Sequence, residues 1–303
     1  MEESIHIIQS AQINICKWND CINHNKGLIY SQYEYVSAIA DYWHGLIIGD
    51  YEAVMALPFR KKYGIKYIYT PPFMQQLGLI GKYNIEDITL FKRLKKFSSY
   101  ITYNFNFDNQ KLLSSIPFTE HTNLILSLTD SAEIIQDKYA KSLQRNLQKA
   151  FNNGVIISEG NHSESIGWYR KYQGEKIAHV SNADYDHLDK LLTLLKNKAQ
   201  LICKNALNKQ GETIATIVCL KDGKRIYNLL PSSSEQGKEL SAMHLLLDTI
   251  ICQNAQSNYT FDFEGSDIKG VQQFYLQYGA TVQPYYRIHQ NSLPLWLKLI
   301  KKK

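Results

Sequence analysis

Two apolar runs, residues 213–220 and 225–230, flank Lys221-Asp222-Gly223-Lys224. An Asp-Gly pair between such runs sets a tight β-hairpin. A polar loop over 231–239 leads into a helix predicted over 241–255 and a buried strand predicted over 259–263. Hairpin strands followed by strand, loop, helix and strand call for a mixed sheet with helices on it, an α/β (α+β) fold. The same order occurs earlier. Gly49-Asp50 sits in a hairpin over 45–58, a third strand is predicted over 66–69, and a helix over 85–100 precedes a strand over 101–107. Asp50-Tyr51-Glu52-Ala53-Val54-Met55 parallels Gly211-Glu212-Thr213-Ile214-Ala215-Thr216, which points to a duplicated domain.

The chain has 303 residues, and domains of roughly 150 residues account for that length better than one core does. The expected domains are residues 1–130 and 131–303. Before the first hairpin the pattern predicts a strand over 5–8 and helices over 17–24 and 31–42. A further strand is predicted over 122–128. Thr129-Asp130-Ser131, with Glu133 just inside, signals a helix start; that helix is predicted to run to Phe151 and stop at Asn152-Asn153-Gly154. The second half opens with a strand over 155–159, helices over 164–177 and 184–197, and a strand over 201–207. It closes with a helix over 269–278, a strand over 281–289 and an amphipathic tail over 292–303.

The net charge is +6, and Lys301, Lys302 and Lys303 supply half of it. The remaining excess suits an anionic ligand rather than a dedicated nucleic-acid binder. No run approaches ~18 consecutive apolar residues, so no membrane span is expected. Met1-Glu2-Glu3-Ser4 lacks the basic and apolar regions of a signal peptide, and the five cysteines form no disulfide framework. A cytoplasmic protein is the expectation, with no metal site, because Cys16 and Cys21 have no second pair or His cluster at metal spacing.

Two segments can carry chemistry. The helix predicted from Ser241 presents unpaired amides at its start, a natural seat for pyrophosphate or carboxylate. Gly237, Ser241 and Ala242 are small enough for close approach to the backbone, and Lys238 can add charge. An ordinary capped helix reads the same way. The second segment is Phe261-Asp262-Phe263-Glu264-Gly265-Ser266, where alternation sets both carboxylates on one face. Two carboxylates at a strand end can orient an amine or serve as a general base; the plainer reading has Asp262 bonding neighbouring backbone amides, which suits Asp262 better, and Glu264 capping the next helix, which for Glu264 stands level with the base.

That segment, with Gly270-Val271-Gln272-Gln273-Phe274-Tyr275 and Tyr278-Gly279-Ala280, resembles the C-terminal signature of GNAT-superfamily proteins related to the Fem-type peptidoglycan bridge-forming aminoacyltransferases. Residues 142–150 with Gly154-Val155 resemble the start of their second domain. Residues 59–64 and 72–78 resemble the first domain of a related bacterial group. The resemblance implies two tandem GNAT-like domains and an N-acyltransferase, such as an acetyltransferase. The donor would be acyl-CoA, acetyl-CoA among them, or aminoacyl-tRNA. The acceptor would be an amine on a small molecule or a cell-wall precursor. In that frame Glu264 accepts the amine proton, directly or through water, and Tyr275 or Tyr278 protonates the leaving group. Gly237, Lys238, Ser241 and Ala242 face the donor.

Arg145 and Lys149, four apart on one helical face, either hold an anionic substrate or form a solvated basic face. Gln75 and Gln76 follow two prolines at a strand end and are expected to contact substrate. Two departures stand out. The family's pyrophosphate loop, Arg/Gln-x-x-Gly-x-Gly/Ala, is replaced by Glu235-Gln236-Gly237-Lys238-Glu239-Leu240-Ser241-Ala242. The segment 166–195 is too short for the coiled-coil arm that some Fem proteins use to clamp tRNA. A fold kept as a binding module without catalysis is the alternative to a transferase.

Overall fold

The computed structural model describes residues 4–62, 64–174, 180–265 and 267–294. The chain divides into two compact units, residues 1–121 with 284–303, and residues 122–283.

The first unit contains β1 (Ile5–Gln9), α1 (Ile15–His24), α2 (Tyr33–Ile39), β2 (Tyr42–Ile48), β3 (Ala53–Lys62), β4 (Ile65–Tyr69), β5 (Leu79–Gly81), α3 (Asp87–Phe97), β6 (Tyr100–Phe105) and β7 (Phe118–His121). The Asn14 side chain accepts the Lys17 amide to start α1, which buries Trp18, Cys21 and Ile22. Gly45 of β2 lies under that face; a Cβ there would come within 2.7 Å of the Trp18 ring and of Ile13.

The second unit contains β8 (Leu124–Ser127), α4 (Ala132–Asp137), α5 (Lys141–Asn152), β9 (Ile156–Glu159), α6 (His162–Tyr172), α7 (Asn182–Asn197), β10 (Leu201–Leu207), β11 (Thr213–Lys221), β12 (Arg225–Asn228), β13 (Ser232–Ser233), α8 (Glu235–Glu239), α9 (Ala242–Gln253), β14 (Thr260–Asp262), α10 (Lys269–Leu276) and β15 (Thr281–Val282). A last strand, β16 (Tyr285–Asn291), returns to the first unit. The core beneath α9 and α10 gathers Ile217, Ile226, Leu247, Ile250, Phe261 and Phe263, all fully buried.

Each unit has one eight-stranded mixed sheet. The order is β1-β2-β3-β4-β6-β16-β7 in the first and β9-β10-β11-β12-β14-β8-β15 in the second, with β5 beside β3 and β13 beside β11. Neighbouring strands are antiparallel apart from one parallel pair per sheet. These are β4/β6 (Tyr67↔Tyr100, Ile68↔Ile101, Tyr69↔Thr102) and β12/β14 (Arg225↔Thr260, Ile226↔Phe261, Tyr227↔Asp262). The duplication expected from element order is therefore also one of strand pairing.

The units exchange a strand. β8 follows the first unit's strands in sequence but pairs with β14 and β15. β16 follows the second unit's strands but pairs with β6 and β7. The structural division thus differs from the expected one between residues 130 and 131, because pairing partners are not written in a strand's own residues. The strand predicted over 281–289 is likewise two strands in two sheets, parted at Pro284, which has no N–H to give a ladder. The helix predicted to reach Phe151 is also two. Ser131 caps α4, then the Ala140 amide donates to the Gln277 carbonyl and α5 starts afresh. Among the described residues no helix is long and apolar enough to cross a membrane. Most of the predicted C-terminal tail, and Ser266, lie outside the described residues.

Candidate functional site

In the second unit the two central strands part. β12 and β14 pair through Tyr227 and Asp262 and no further. Beyond that point the Leu229 and Leu230 amides both donate to the Val218 carbonyl of β11 at 3.1 Å, while the Phe263 amide donates to the Leu124 carbonyl of β8 at 2.9 Å. Each strand has turned to its other neighbour. Asn228 stands at the fork, almost fully buried. Its Nδ2 donates to the Tyr275 hydroxyl at 3.2 Å, and its Oδ1 has no partner among the described residues. An orphaned buried acceptor costs about 1–3 kcal/mol.

Glu264 follows on the other branch in a left-handed conformation, φ 49°. A non-glycine residue rarely adopts it, and such strain is held only by its surroundings. Three amide bonds hold this turn: Phe263 to Leu124 O, Glu264 to Asp262 Oδ1 at 2.9 Å, and Gly265 to Asn123 Oδ1 at 2.8 Å. A Cβ on Gly265 would meet the Leu124 amide nitrogen at 2.8 Å. Burial first, and the Glu264 carboxylate second, hold the hydroxyls of Tyr275 and Tyr169 above the ordinary phenol range. Glu264 also acts on the buried Cys219 thiol, which burial pushes up most. A carboxylate, two protonated phenols from α6 and α10, and a buried amide are thus electrostatic neighbours at the parting. Such a set can accept a proton, donate one and bind a polar group.

The segment expected to seat the donor is arranged differently. Gly237 is small because strand β11 requires it, since a Cβ there would lie 2.1 Å from the Ile214 carbonyl oxygen. Lys238 pairs with Glu235 at 2.5 Å on the surface. Ser241 is buried and left-handed (φ 59°), and its hydroxyl donates to Asn146 Oδ1 of α5 at 3.3 Å instead of capping α9. Ala242 is fully buried. At Gly237 the close approach read from small residues is the chain's approach to itself, and Ser241 is turned toward α5.

Arg145 and Lys149 are exposed on α5, on the side away from buried Leu143 and Ala150. Their exposure is what either reading of them requires.

Gln75 and Gln76 belong to a plug. In the first unit β4 and β6 part as β12 and β14 do, but the chain's own 71–78 segment fills the gap. The Leu77 amide donates to Asn104 O at 2.9 Å and the Asn106 amide to Leu77 O at 3.0 Å. Gln76 is fully buried; its Nε2 donates to Gln75 Oε1 at 2.7 Å and its Oε1 accepts the Phe107 amide. Asn104 Nδ2 donates to the Gln75 carbonyl. Tyr103 locks the plug by donating to Ala56 O and accepting the Gly78 amide. The Gln76 side chain is thus taken up by the Phe107 amide and by Gln75, in place of the substrate contact expected of it, while Gln75 is half-buried beside it.

Glu264 and Tyr275 come together as anticipated. Asn228 and Arg225 were not singled out, whereas Tyr169 stands out in the sequence, with Trp168, Arg170 and Tyr172, as a groove-lining candidate on its helix. Asn228 gave the one available signal, an amide where the hairpin's alternation runs apolar. A cavity of about 830 Å³ lies in the first unit by Lys17, His24, Glu52 and Lys82 and is lined by none of these groups. Its walls mix both charges, and its buried thiol, Cys21, already donates to the Glu52 and Ile80 carbonyls.

No family model and no curated protein matches the sequence. Solved structures match the fold. FemX aligns over 100% of both chains with a TM-score of 0.69 at 11% identity. The C-terminal domain of a chain described as a lysylphosphatidylglycerol synthetase, from Agrobacterium fabrum, aligns over 97% of this chain and 96% of its own, with a TM-score of 0.60 at 10% identity. A tandem GNAT protein from the clavulanic acid biosynthesis pathway covers 96% and 99%, with a TM-score of 0.59 at 7% identity. At such identities the likeness is one of fold, and the fold is a Fem-like tandem GNAT fold.

Proposed function

We propose that the chain is an N-acyltransferase whose chemistry lies where β12 and β14 part. The observation that carries this reading is the gathering of Glu264, Tyr275 and Asn228 at that fork, in a fold shared with tandem GNAT proteins. The amine nitrogen attacks the acyl carbonyl carbon and gives its proton to Glu264, directly or through water. The C–S bond of a thioester, or the C–O bond of an aminoacyl ester, breaks as the leaving atom takes the Tyr275 proton. Amide and free thiol or alcohol result. Positioning supplies much of the rate, and the unsatisfied Asn228 Oδ1 offers an acceptor for a substrate N–H. The donor is acyl-CoA or aminoacyl-tRNA. The acceptor is an amine on a small molecule or, following the Fem resemblance, on a cell-wall precursor.

Thiol release from a panel of acyl-CoAs, and deacylation of aminoacyl-tRNA, each with amine acceptors, test this reading. Glu264→Gln should lower turnover about 100-fold or more and Tyr275→Phe about 10-fold. Full turnover in Glu264→Gln would remove the base from the scheme.

A second reading, a binding module without transfer, is favoured by the departure of Glu235-Gln236-Gly237-Lys238-Glu239-Leu240-Ser241-Ala242 from the family's pyrophosphate loop. Thermal melts with acetyl-CoA, longer acyl-CoAs and nucleotide sugars separate the two. A donor at about 100 times its Kd adds about 2.7 kcal/mol, whereas no shift with any of them favours the module. Use of tRNA would appear as affinity that falls steeply with salt.

A further inference from the structure

We propose that Asp262 is the positioning residue for Glu264: the buried Arg225–Asp262 pair holds the left-handed turn that aims the Glu264 carboxylate at the parting of the strands. This rests on the reading of Glu264 as the proton acceptor. Asp262 is fully buried and Arg225 nearly so. The two carboxylate oxygens have separate duties. Oδ2 accepts from Arg225 Nη1 at 2.5 Å, and Oδ1 accepts the Glu264 amide at 2.9 Å. Arg225 is anchored in turn, with Nη1 and Nη2 both donating to Gln283 Oε1 at 3.0 Å. The Gln283 amide donates to the Asn123 carbonyl, and Asn123 Oδ1 accepts the Gly265 amide. The network thus runs from β12 through Asp262 and Gln283 to both amides that follow Phe263.

A buried ion pair is a poor source of stability, because desolvation offsets its attraction and apolar residues of similar volume often do as well. What this pair supplies is geometry. Loss of the acceptor for the Glu264 amide removes one of the three bonds that hold the turn at φ 49°, and the only one made by Glu264's own amide among them. Once the turn relaxes, its carboxylate leaves the groups that face it, Tyr169 of α6, Tyr275 of α10 and Cys219 of β11.

Asparagine at 262 has one oxygen and can serve only one of the two partners. That makes Asp262→Asn the test. In the full chain, glutamate side-chain carboxyls are labelled with carbon-13, the Glu264 signal is assigned by its loss in Glu264→Gln, and its titration is followed by NMR. Asp262→Asn should move the Glu264 midpoint measurably from its value in the unsubstituted protein, because the carboxylate no longer keeps the same neighbours. Arg225→Lys, which keeps the charge but not the fork to Gln283, should move it less in the same direction. Asp184→Asn is the control. Asp184 is also buried and caps α7 through Ser181, so its loss should lower the melting temperature and leave the midpoint in place. If Asp262→Asn does not fold, Arg225→Lys decides. An unmoved midpoint in the folded variants, or an equal movement in Asp184→Asn, overturns the proposal. The titration needs no substrate, so a protein that transfers nothing still answers it, and the turnover assays above judge Glu264 as a base separately.

Discussion

Cutting the chain at the exchanged strand separates the two possible divisions. A fragment of residues 131–303 lacks β8, whose place is between β14 and β15. The segment missing from it also buries Leu124, Leu126 and Leu128, exposed by 7% or less. At about 2 kcal/mol per buried leucine their loss costs about 6 kcal/mol, before the ladder bonds to Thr260, Phe261 and Asp262 are counted. Domains of this size are stable by about 5–15 kcal/mol in all. The 131–303 fragment should therefore be unfolded or aggregated, while residues 122–283 should melt cooperatively. Circular dichroism melts and amide NMR dispersion of the two fragments read the difference. A 131–303 fragment that melts as sharply and as high as 122–283 would show that β8 does not belong to the second sheet.

Three further outcomes follow from named contacts. Gly237→Ala forces a methyl against the Ile214 carbonyl and should cost about 2–3 kcal/mol, read as a lower thermal midpoint; no loss would mean that α8 does not press on β11. Tyr103→Phe leaves the Ala56 carbonyl and the Gly78 amide without their partner and should cost about 2 kcal/mol by urea unfolding; an unchanged midpoint would show that the plug is not tied there. Burial pulls His244 from 6.5 down to about 4. Its folded-state value is depressed, so its contribution is intact above pH 6.5 and is lost as pH falls toward 4, about 2 kcal/mol by pH 5. His244→Asn should remove that part of the fall in thermal midpoint between pH 7 and 5, and an identical fall in both proteins would contradict it.

Much of the second unit was legible because its local signals agree with its packing. Asp222-Gly223 makes the turn between β11 and β12, and the Phe261 and Phe263 rings mark a buried strand. The left-handed Gly154 sits just after α5. Glu264 and Tyr275 were reachable from the motif around them. Other features depend on contacts between residues far apart in the chain. A small residue before a helix looks the same whether it admits a phosphate or, as with Gly237, its own strand. Gln75 and Gln76 after two prolines read as a cleft rim, and only the Leu77–Asn104 and Leu77–Asn106 bonds show them inside a sheet. Asp262 was read correctly as a cap for a backbone amide, but its second oxygen is spoken for by Arg225, 37 residues away.

The plug in the first unit is made chiefly of main chain, and this sets what its lineage can tolerate. Peptide groups are supplied by any residue, so many side chains in 71–78 are open to drift, with buried Gln76 and left-handed Gly78 as the fixed points. Length is not open in the same way. One residue added or removed would take Leu77 out of register with Phe105 and present the gap to whatever small molecule fits it.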